Sequence, residues 1–583
     1  MSRLWAYLVR YRLRYGGGIA CLLASRGLAM TLPWLLGVTV DAIAGVTAGR
    51  AMGPIVARYV LLIAAIAVVQ GVVRTFSRFV IFNIGRDIEY DLRNDLFAHL
   101  EAQPLAFYQQ RQTGDLMSRL VNDVTAVRLL LGLGILNFID APVAYTLGLS
   151  GMLLKDVRLT FASLAIYPAA FLVVKRTSRL LMERTFRVQE GLGHLSSRVQ
   201  ENLSGIQVVK AYAAEEHEVD IFARANAHFQ ELNLRLARVR GFIGPVMNIV
   251  GGVGVLVVLW YGGREAIAGR LSIGDLVAFI GYLGQLAWPT MALGWMLSIV
   301  QRGRAAMQRL NELFAVAPAV TSPAGATAPA DVRGEIVLRG VSFRYPGRPE
   351  APPVLDDVDL TIPAGSTVAL VGRTGAGKST LVQLLPRLFD VDAGAILLDG
   401  RDVRTLPLGW LRRQVGLVPQ DPFLFSRSVR DNLAFALDAD GNGRVDQAVR
   451  MASLGRDVAE FPHGLDTIVG ERGVTLSGGQ KQRVALARVL AAAPRVLVLD
   501  DALSSVDAQT EREILDRLRD FFRARTTILV SHRITTVKEA DLIFVLEEGR
   551  IVESGDHDSL VARGGTYADL FRQQALEVEL EAI

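Results

Sequence analysis

Six long, nearly uncharged apolar runs crowd into the first three hundred residues, near 16–38, 55–80, 130–153, 157–175, 245–263 and 274–298. About 20 helical residues cross a hydrocarbon core, and each run approaches or exceeds that length. A backbone in lipid has to satisfy its own hydrogen bonds, so such runs fold as helices. Residues 1–315 are therefore expected to form an all-α polytopic membrane domain with six transmembrane helices. Composition agrees: 51% of the 583 residues are hydrophobic and mean hydropathy is +0.31. Those values exclude a disordered chain and argue against an ordinary soluble enzyme. Lys plus Arg number 63 and Asp plus Glu 58, a surplus too small to imply a nucleic-acid partner. Cys21 is the single cysteine, so there is no intrachain disulfide.

Charge distribution sets orientation. The first run follows Arg3, Arg10, Arg12 and Arg14, interleaved with Trp5, Tyr7, Tyr11 and Tyr15. A signal peptide has a shorter apolar core and a small-residue cleavage site, so this arm reads as an interfacial amphipathic helix entering a first span. Segment 83–128 adds Arg86, Arg93, Arg111, Arg119 and Arg128, and segment 175–240 adds eleven Lys or Arg. The opposite loops are short and hold Arg50, Lys155, Arg158, Arg264 and Arg270. By the positive-inside rule both termini and both long loops are cytoplasmic. The amphipathic stretches 86–103 and 178–240 predict helices that continue tens of ångströms past the bilayer, at about 1.5 Å per residue.

Val316–Arg333, rich in Pro, Ala, Gly and Thr, marks a linker, and residues 334–583 change character again. Short runs such as IVLRGVSF, TVALVG, AILLDG, VLVLDD, TTILVSH and LIFVLEEG alternate with helical patterns. That alternation predicts an α/β domain with a largely parallel central sheet.

Within this domain Gly372-Arg373-Thr374-Gly375-Ala376-Gly377-Lys378-Ser379 follows the strand pattern TVALV and opens a helix beginning at Thr380. Converging backbone amides and a helix N-terminus cradle phosphate in such a P-loop. Lys378 would reach the β- and γ-phosphates of ATP, and the Ser379 hydroxyl would ligate Mg²⁺. Further on, Val496–Leu499 runs into Asp500 and Asp501. A carboxylate at the tip of a buried strand beside a P-loop holds the Mg²⁺ water shell.

Between these motifs lies Leu476-Ser477-Gly478-Gly479-Gln480, followed by KQRVALARVLA. The sequence resembles an ATP-binding-cassette transporter of the exporter type, with membrane domain and α/β P-loop cassette fused in one chain. The resemblance implies that Tyr345 stacks on adenine, that Gln420 contacts Mg²⁺ and the membrane domain, and that Glu471 marks an exporter-specific loop. It makes Ser504–Asp507 the D-loop and His532 the switch histidine. It further implies that two cassettes face head to tail, so that Ser477, Gly478, Gly479 and Gln480 of one chain close on the γ-phosphate held by the other. A chain with one membrane domain and one cassette must then dimerise. Short transverse helices near Gly114–Asp115 and Tyr212 would dock on the cassettes.

One position departs from the family pattern. Active members carry Glu after the Walker B aspartate, and here that residue is Asp501. A general base works within about 2.6–3.2 Å of the proton it takes, and Asp501 is one methylene short. The replacement resembles one subunit of heterodimeric bacterial exporters, with a homodimer of equal sites as the alternative. The resemblance implies export of a hydrophobic or amphipathic cargo, drug or lipid, across a bacterial cytoplasmic membrane. A non-transporting regulatory partner is the third reading. Inside the spans, Gln70, Arg74 and Arg78 recur every four residues on one helix face, with Arg26 and Asp140 on neighbouring spans. They read either as a basic cavity wall for anionic or amphipathic cargo, or as a structural set in which Asp140 neutralises one arginine. Gly251, Gly252 and Gly254 are expected to allow close helix packing.

Overall fold

The computed structural model describes residues 2–44, 52–347, 350–437, 442–470, 473, 475–533 and 537–581. Two compact units divide the chain: Met1–Leu100 with Gly114–Val316, and Glu101–Thr113 with Ala317–Ile583.

In the first unit, four of the described helices are long and apolar enough to cross a membrane: Arg12–Ala44, Val56–Glu101, Thr113–Leu153 and Glu215–Ile267. A shorter apolar helical stretch, Ile273–Leu286, begins the helix Ile273–Phe314. The run 157–175, expected to be one span, is divided instead. Helix Val157–Leu164 ends, and Tyr167–Ser204 starts with Pro168 in its first turn. Proline has no N–H to donate and disfavours helical backbone just before it, a break that hydropathy alone does not register.

Polar side chains fasten these helices at positions far apart in sequence. Asp87, Asp91 and Asp95 stand four residues apart on the helix Met52–Glu101. They accept from Arg14, from Arg10 and Tyr11, and from Tyr7, so the N-terminal arm lies along this helix as a ladder. Trp5 and Leu13 remain exposed on the arm. Deeper in, the Arg26 guanidinium donates through two nitrogens to both oxygens of Asp140, joining helix Arg12–Ala44 to Ile135–Leu153. Of the three glycines expected to allow close packing, Gly251 and Gly252 face open space, whereas Gly254 is buried with a Cβ position 3.4 Å from Leu283; a closer approach lies where Gly37 meets Gly274. Beside that contact Asp41 accepts from the Ser272 hydroxyl at 2.6 Å and from the Gly274 amide at 2.7 Å. Ser272 and Asp275 form a capping box that starts the last long helix.

The second unit holds two sheets. Strands are β1 (Ile336–Phe343), β2 (Leu355–Ile362), β3 (Thr367–Val371), β4 (Ala393–Leu398), β5 (Arg401–Asp402), β6 (Val415–Val418), β7 (Val496–Asp500), β8 (Thr526–Val530), β9 (Leu542–Glu547) and β10 (Arg550–Gly555). A six-stranded sheet runs β10-β9-β3-β8-β7-β6 and is parallel from β9 to β6. β7 and β8 are buried at every position, so they carry apolar residues without polar alternation, apart from Thr526 and Thr527 at the start of β8 and Asp500 at the end of β7. IVLRGVSF and AILLDG do not join this sheet. As β1 and β4 they enter a separate antiparallel sheet, β2-β1-β4-β5.

Residues 316–333 contain no helix or strand, yet they are held to the cassette rather than hanging free. Arg387 donates to the Thr321 carbonyl at 3.0 Å, and the Leu408 amide donates to the Ser322 hydroxyl at 2.9 Å. The short helix Leu105–Gln109 also belongs to this unit, with Phe107 buried and Ala106 against the cassette core.

Candidate active site

The P-loop joins the carboxyl end of β3 to the helix Lys378–Leu384, so the loop leads straight into a helix N-terminus, the end that favours an anion. Gly372 has φ 149°, and a Cβ there would lie 2.1 Å from the Leu546 carbonyl oxygen, so no other residue fits. The Lys378 ammonium is 5% exposed and donates to the carbonyls of Gly372 at 2.7 Å and Arg373 at 2.9 Å. Burial holds its pKa below the usual lysine range, opposed by the nearby Asp501 and Asp500 carboxylates. Arg373, Thr374 and Gly375 are exposed around the loop, whereas Ala376 and Gly377 are buried beneath it.

The Ser379 hydroxyl donates to Asp500 at 3.0 Å. Asp500 is 3% exposed at the end of β7, and burial pushes its pKa up, opposed by the Ser379 hydrogen bond. A hydroxyl and a buried carboxylate in contact form the hard-oxygen donor pair that suits Mg²⁺. Asp501 follows in left-handed backbone, φ 50°, with its amide on the Val530 carbonyl at 2.8 Å. That turn brings its carboxylate towards His532, with 3.9 Å between Asp501 Oδ2 and His532 Nε2. Tyr345 packs edge-on against Phe343 and Phe389, and its hydroxyl lies 3.0 Å from Thr380 Oγ1 at the start of the P-loop helix. Gln420 is exposed just beyond β6, the strand beside β7.

Ser477 caps the helix Gly478–Ala492. Its hydroxyl accepts from the Gln480 amide at 3.2 Å while the Gln480 side chain accepts from the Ser477 amide at 2.9 Å. The Ser477 O–H and the first helical amides are left to donate outward. Gly479 is pressed to the D-loop, where a Cβ would meet the Ser505 carbonyl at 3.0 Å. Among the described residues no hydrogen bond joins 477–480 to the P-loop of the same chain.

Three supporting residues escaped the sequence reading. Gln482 is buried, donates to Ser504 Oγ at 2.9 Å and accepts from the Ser505 amide at 2.8 Å, fixing the D-loop. Arg488 donates to the carbonyls of Asn432 and Phe423 at 2.8 and 3.0 Å, clamping the segment after Gln420. Arg533 donates to the Ser504 and Val506 carbonyls. Their only signal was polar character within otherwise apolar helical or strand-end runs.

Of the expected coupling residues, Gly114, Asp115 and Tyr212 belong to the membrane unit. Gly114 and Asp115 open the helix Thr113–Ser118, where Asp115 pairs with Arg119 at 2.9 Å. The turn that packs on the cassette core is one step earlier, Leu105–Gln109, because Pro104 starts a new helix there and Phe107 supplies the apolar anchor. Tyr212 is 81% exposed at the end of helix Ile206–Ala211. Glu471 lies outside the described residues, as does Arg50.

A family model described as the ABC transporter transmembrane region matches residues 16–290, and one described as ABC transporter matches residues 355–504. The probable multidrug resistance ABC transporter ATP-binding/permease protein YheI of Bacillus subtilis (strain 168) is 35% identical over 580 residues, covering 99% of this chain and 98% of that protein. The chain belongs to the ABC transporter family. The transporter is also 35% identical to the multidrug resistance-like ATP-binding protein MdlA of Escherichia coli (strain K12), over 99% of this chain and 97% of that one. An ATP-dependent lipid A-core flippase of Syntrophus aciditrophicus (strain SB) is 34% identical, over 89% of this chain and 85% of its own. Among solved structures, a bacterial Atm1-family ABC exporter with ATP bound superposes with a TM-score of 0.80 at 29% identity, covering 97% and 99% of the two chains. The transporter thus carries a multi-pass membrane domain and a cassette that binds ATP and couples its hydrolysis to transport.

Proposed function

We propose that this chain is one half of a dimeric, ATP-driven exporter of hydrophobic or amphipathic compounds in a bacterial cytoplasmic membrane, and the half whose own ATP site hydrolyses slowly. The observation that carries the reading is the division of the ATP site. The P-loop has Lys378, Ser379 and Asp500 assembled around it, while the signature helix turns unused donors outward. A second cassette, head to tail, completes both. The membrane domain ends near 315 with six spans and cytoplasmic termini, and the cassette starts near 334.

In this reading Arg373–Thr380 receive the triphosphate and Tyr345 the adenine. Ser379, Asp500 and Gln420 hold Mg²⁺, which when bound neutralises charge on the β- and γ-phosphates. The Lys378 ammonium trades its loop carbonyls for phosphate oxygens. Asp501 receives the proton of the attacking water, and His532 orients the γ-phosphate from the other side. With a carboxylate one methylene short, proton removal at this site is slow. Ser477, Gly478, Gly479 and Gln480 donate to the ATP held by the partner. Leu105–Gln109 couples to the chain's own cassette. Exposed Val208 and Tyr212, four residues apart on one side of their helix, offer apolar surface that fits a cassette of the partner, with Gly114, Asp115 and Glu471 as further coupling residues. Relatives named for multidrug and lipid export support the cargo class. With Arg26 paired to Asp140, Arg74 and Arg78 carry the net positive charge of the proposed cavity wall, beside the neutral amide of Gln70.

One observation favours a second reading, a homodimer with two equal sites: His532 is retained and faces Asp501. Reconstitution in liposomes tests the export reading. ATP turnover stimulated by an amphipathic cargo, with cargo accumulation, supports it; turnover indifferent to every cargo points to a regulatory partner instead.

A further inference from the structure

The helix Thr566–Glu581 is anchored at its start and reaches the active site two turns later. Glu553 accepts from the Thr566 amide at 2.6 Å and from the Tyr567 amide at 3.2 Å, capping the helix. Tyr567 is 1% exposed, packed with Ala369 and Val371 of β3 and Ile543 and Val545 of β9, and its hydroxyl lies 2.7 Å from His557 Nδ1. β3 is the strand that ends in the P-loop, so the helix is bolted to the base of the catalytic site.

Leu570 and Gln574 lie on the same helix face as Tyr567, at i+3 and i+7. They line a cavity of about 580 Å³ whose opposite wall is Gly372, Arg373, Thr374 and His532. The Gln574 side-chain amide donates across to the backbone carbonyl of His532. On the far side of the same loop Arg533 donates to Ser504 and Val506 of the D-loop and pairs with the buried Glu511 carboxylate. The switch histidine is thus held between a D-loop tether and a C-terminal tether, next to a cavity large enough to receive it if one is released.

We propose that Gln574 is a positioning residue for His532: its hydrogen bond sets how far the switch loop can move from Asp501, and the C-terminal helix thereby governs the rate of hydrolysis without touching nucleotide. The activity part rests on the proposed slow site at Asp501, so the test separates the two. Gln574→Glu keeps size but cannot donate; Gln574→Lys keeps a donor. Both are made in the full-length complex in lipid nanodiscs, with unfolding temperature checked.

Amide exchange across 526–533 is measured with Mg²⁺ and a non-hydrolysable ATP analogue. One neutral hydrogen bond corresponds to about a two- to tenfold change in an opening equilibrium. Exchange in Gln574→Glu is expected to rise by that factor and to stay near wild type in Gln574→Lys. In an Asp501→Glu background, Gln574→Glu is expected to lower kcat by about two- to tenfold with KM for ATP unchanged. Unchanged exchange in Gln574→Glu overturns the proposal, as does a Lys variant that behaves like Glu, or a KM that moves with kcat. If Asp501→Glu brings no gain in turnover, the slow-site reading fails while the exchange result still decides the role of Gln574.

Discussion

Buried charge is handled in opposite ways in the two units of this transporter. In the membrane unit Arg26 and Asp140 pair through two hydrogen bonds and neutralise each other's charge. In the cassette Lys378 is spent on loop carbonyls, Asp500 on a single hydroxyl, and the Ser477 O–H on nothing within its helix cap. A neutralised pair is a structural fastener; groups held by neutral partners alone are, on the proposed reading, those that take up phosphate and metal. Changes to the first should therefore cost folding, and changes to the second should cost or restore chemistry.

The largest effect is expected at Asp501. Lengthening it to Glu should raise turnover at this chain's own site by about 10²–10⁴-fold, the usual worth of a general base, read as phosphate release from a complex whose partner site is inactivated. Next comes Asp140→Ala, which leaves a buried guanidinium unpaired. It should destabilise the membrane unit by about 3–5 kcal/mol, whereas replacing Arg26 and Asp140 together by apolar residues should cost far less. Thermal unfolding in detergent distinguishes the two variants.

These two sites also divide what the sequence could reveal. The P-loop, the Walker strand and the signature are contiguous strings whose geometry is set by local backbone, so Gly372, Lys378 and Ser477 were legible at once. The Arg26–Asp140 pair was one of two open readings, because its members lie on different spans and sequence spacing does not say which helices touch. The ladder from Tyr7, Arg10 and Arg14 to Asp95, Asp91 and Asp87 was missed for the same reason, its residues having been read only as a lipid-facing arm. Periodicity identified six of the strands described, missing β2, β5, β6 and β10, and did not assign them to sheets: β1 and β4 look like the parallel strands and differ only in partner. The Pro168 break lay inside an apolar run that hydropathy reads as continuous. Gln574 gave no signal, since a glutamine in the middle of a helix is ordinary until the fold brings it to His532.

Smaller effects sharpen the comparison within the cassette. Ser477→Ala removes one hydrogen bond to a charged group, worth about 1.5–3 kcal/mol. It should lower the partner site's turnover by about tenfold or more, leaving ATP affinity of this chain's P-loop unchanged in fluorescent-nucleotide titrations. The smallest effect is in pH. Burial raises the Asp500 pKa, so its carboxylate is lost at a higher pH than that of a free aspartate as acid is added. The charged form is the costly one in the folded cassette without metal, so acidification at this residue relieves strain while weakening the grip on Mg²⁺. Mg²⁺-dependent nucleotide binding should fall on acidification in the wild type and be flat, and weak throughout, in Asp500→Asn.

The most direct test of a divided, unequal ATP site is the composition of the complex. Tagged chain should be drawn from native membranes and the intact assembly weighed. The account predicts a second, different half-transporter carrying Glu after its Walker B aspartate. A single species at twice 63.4 kDa would contradict it and make Asp501 the working base of two equal sites.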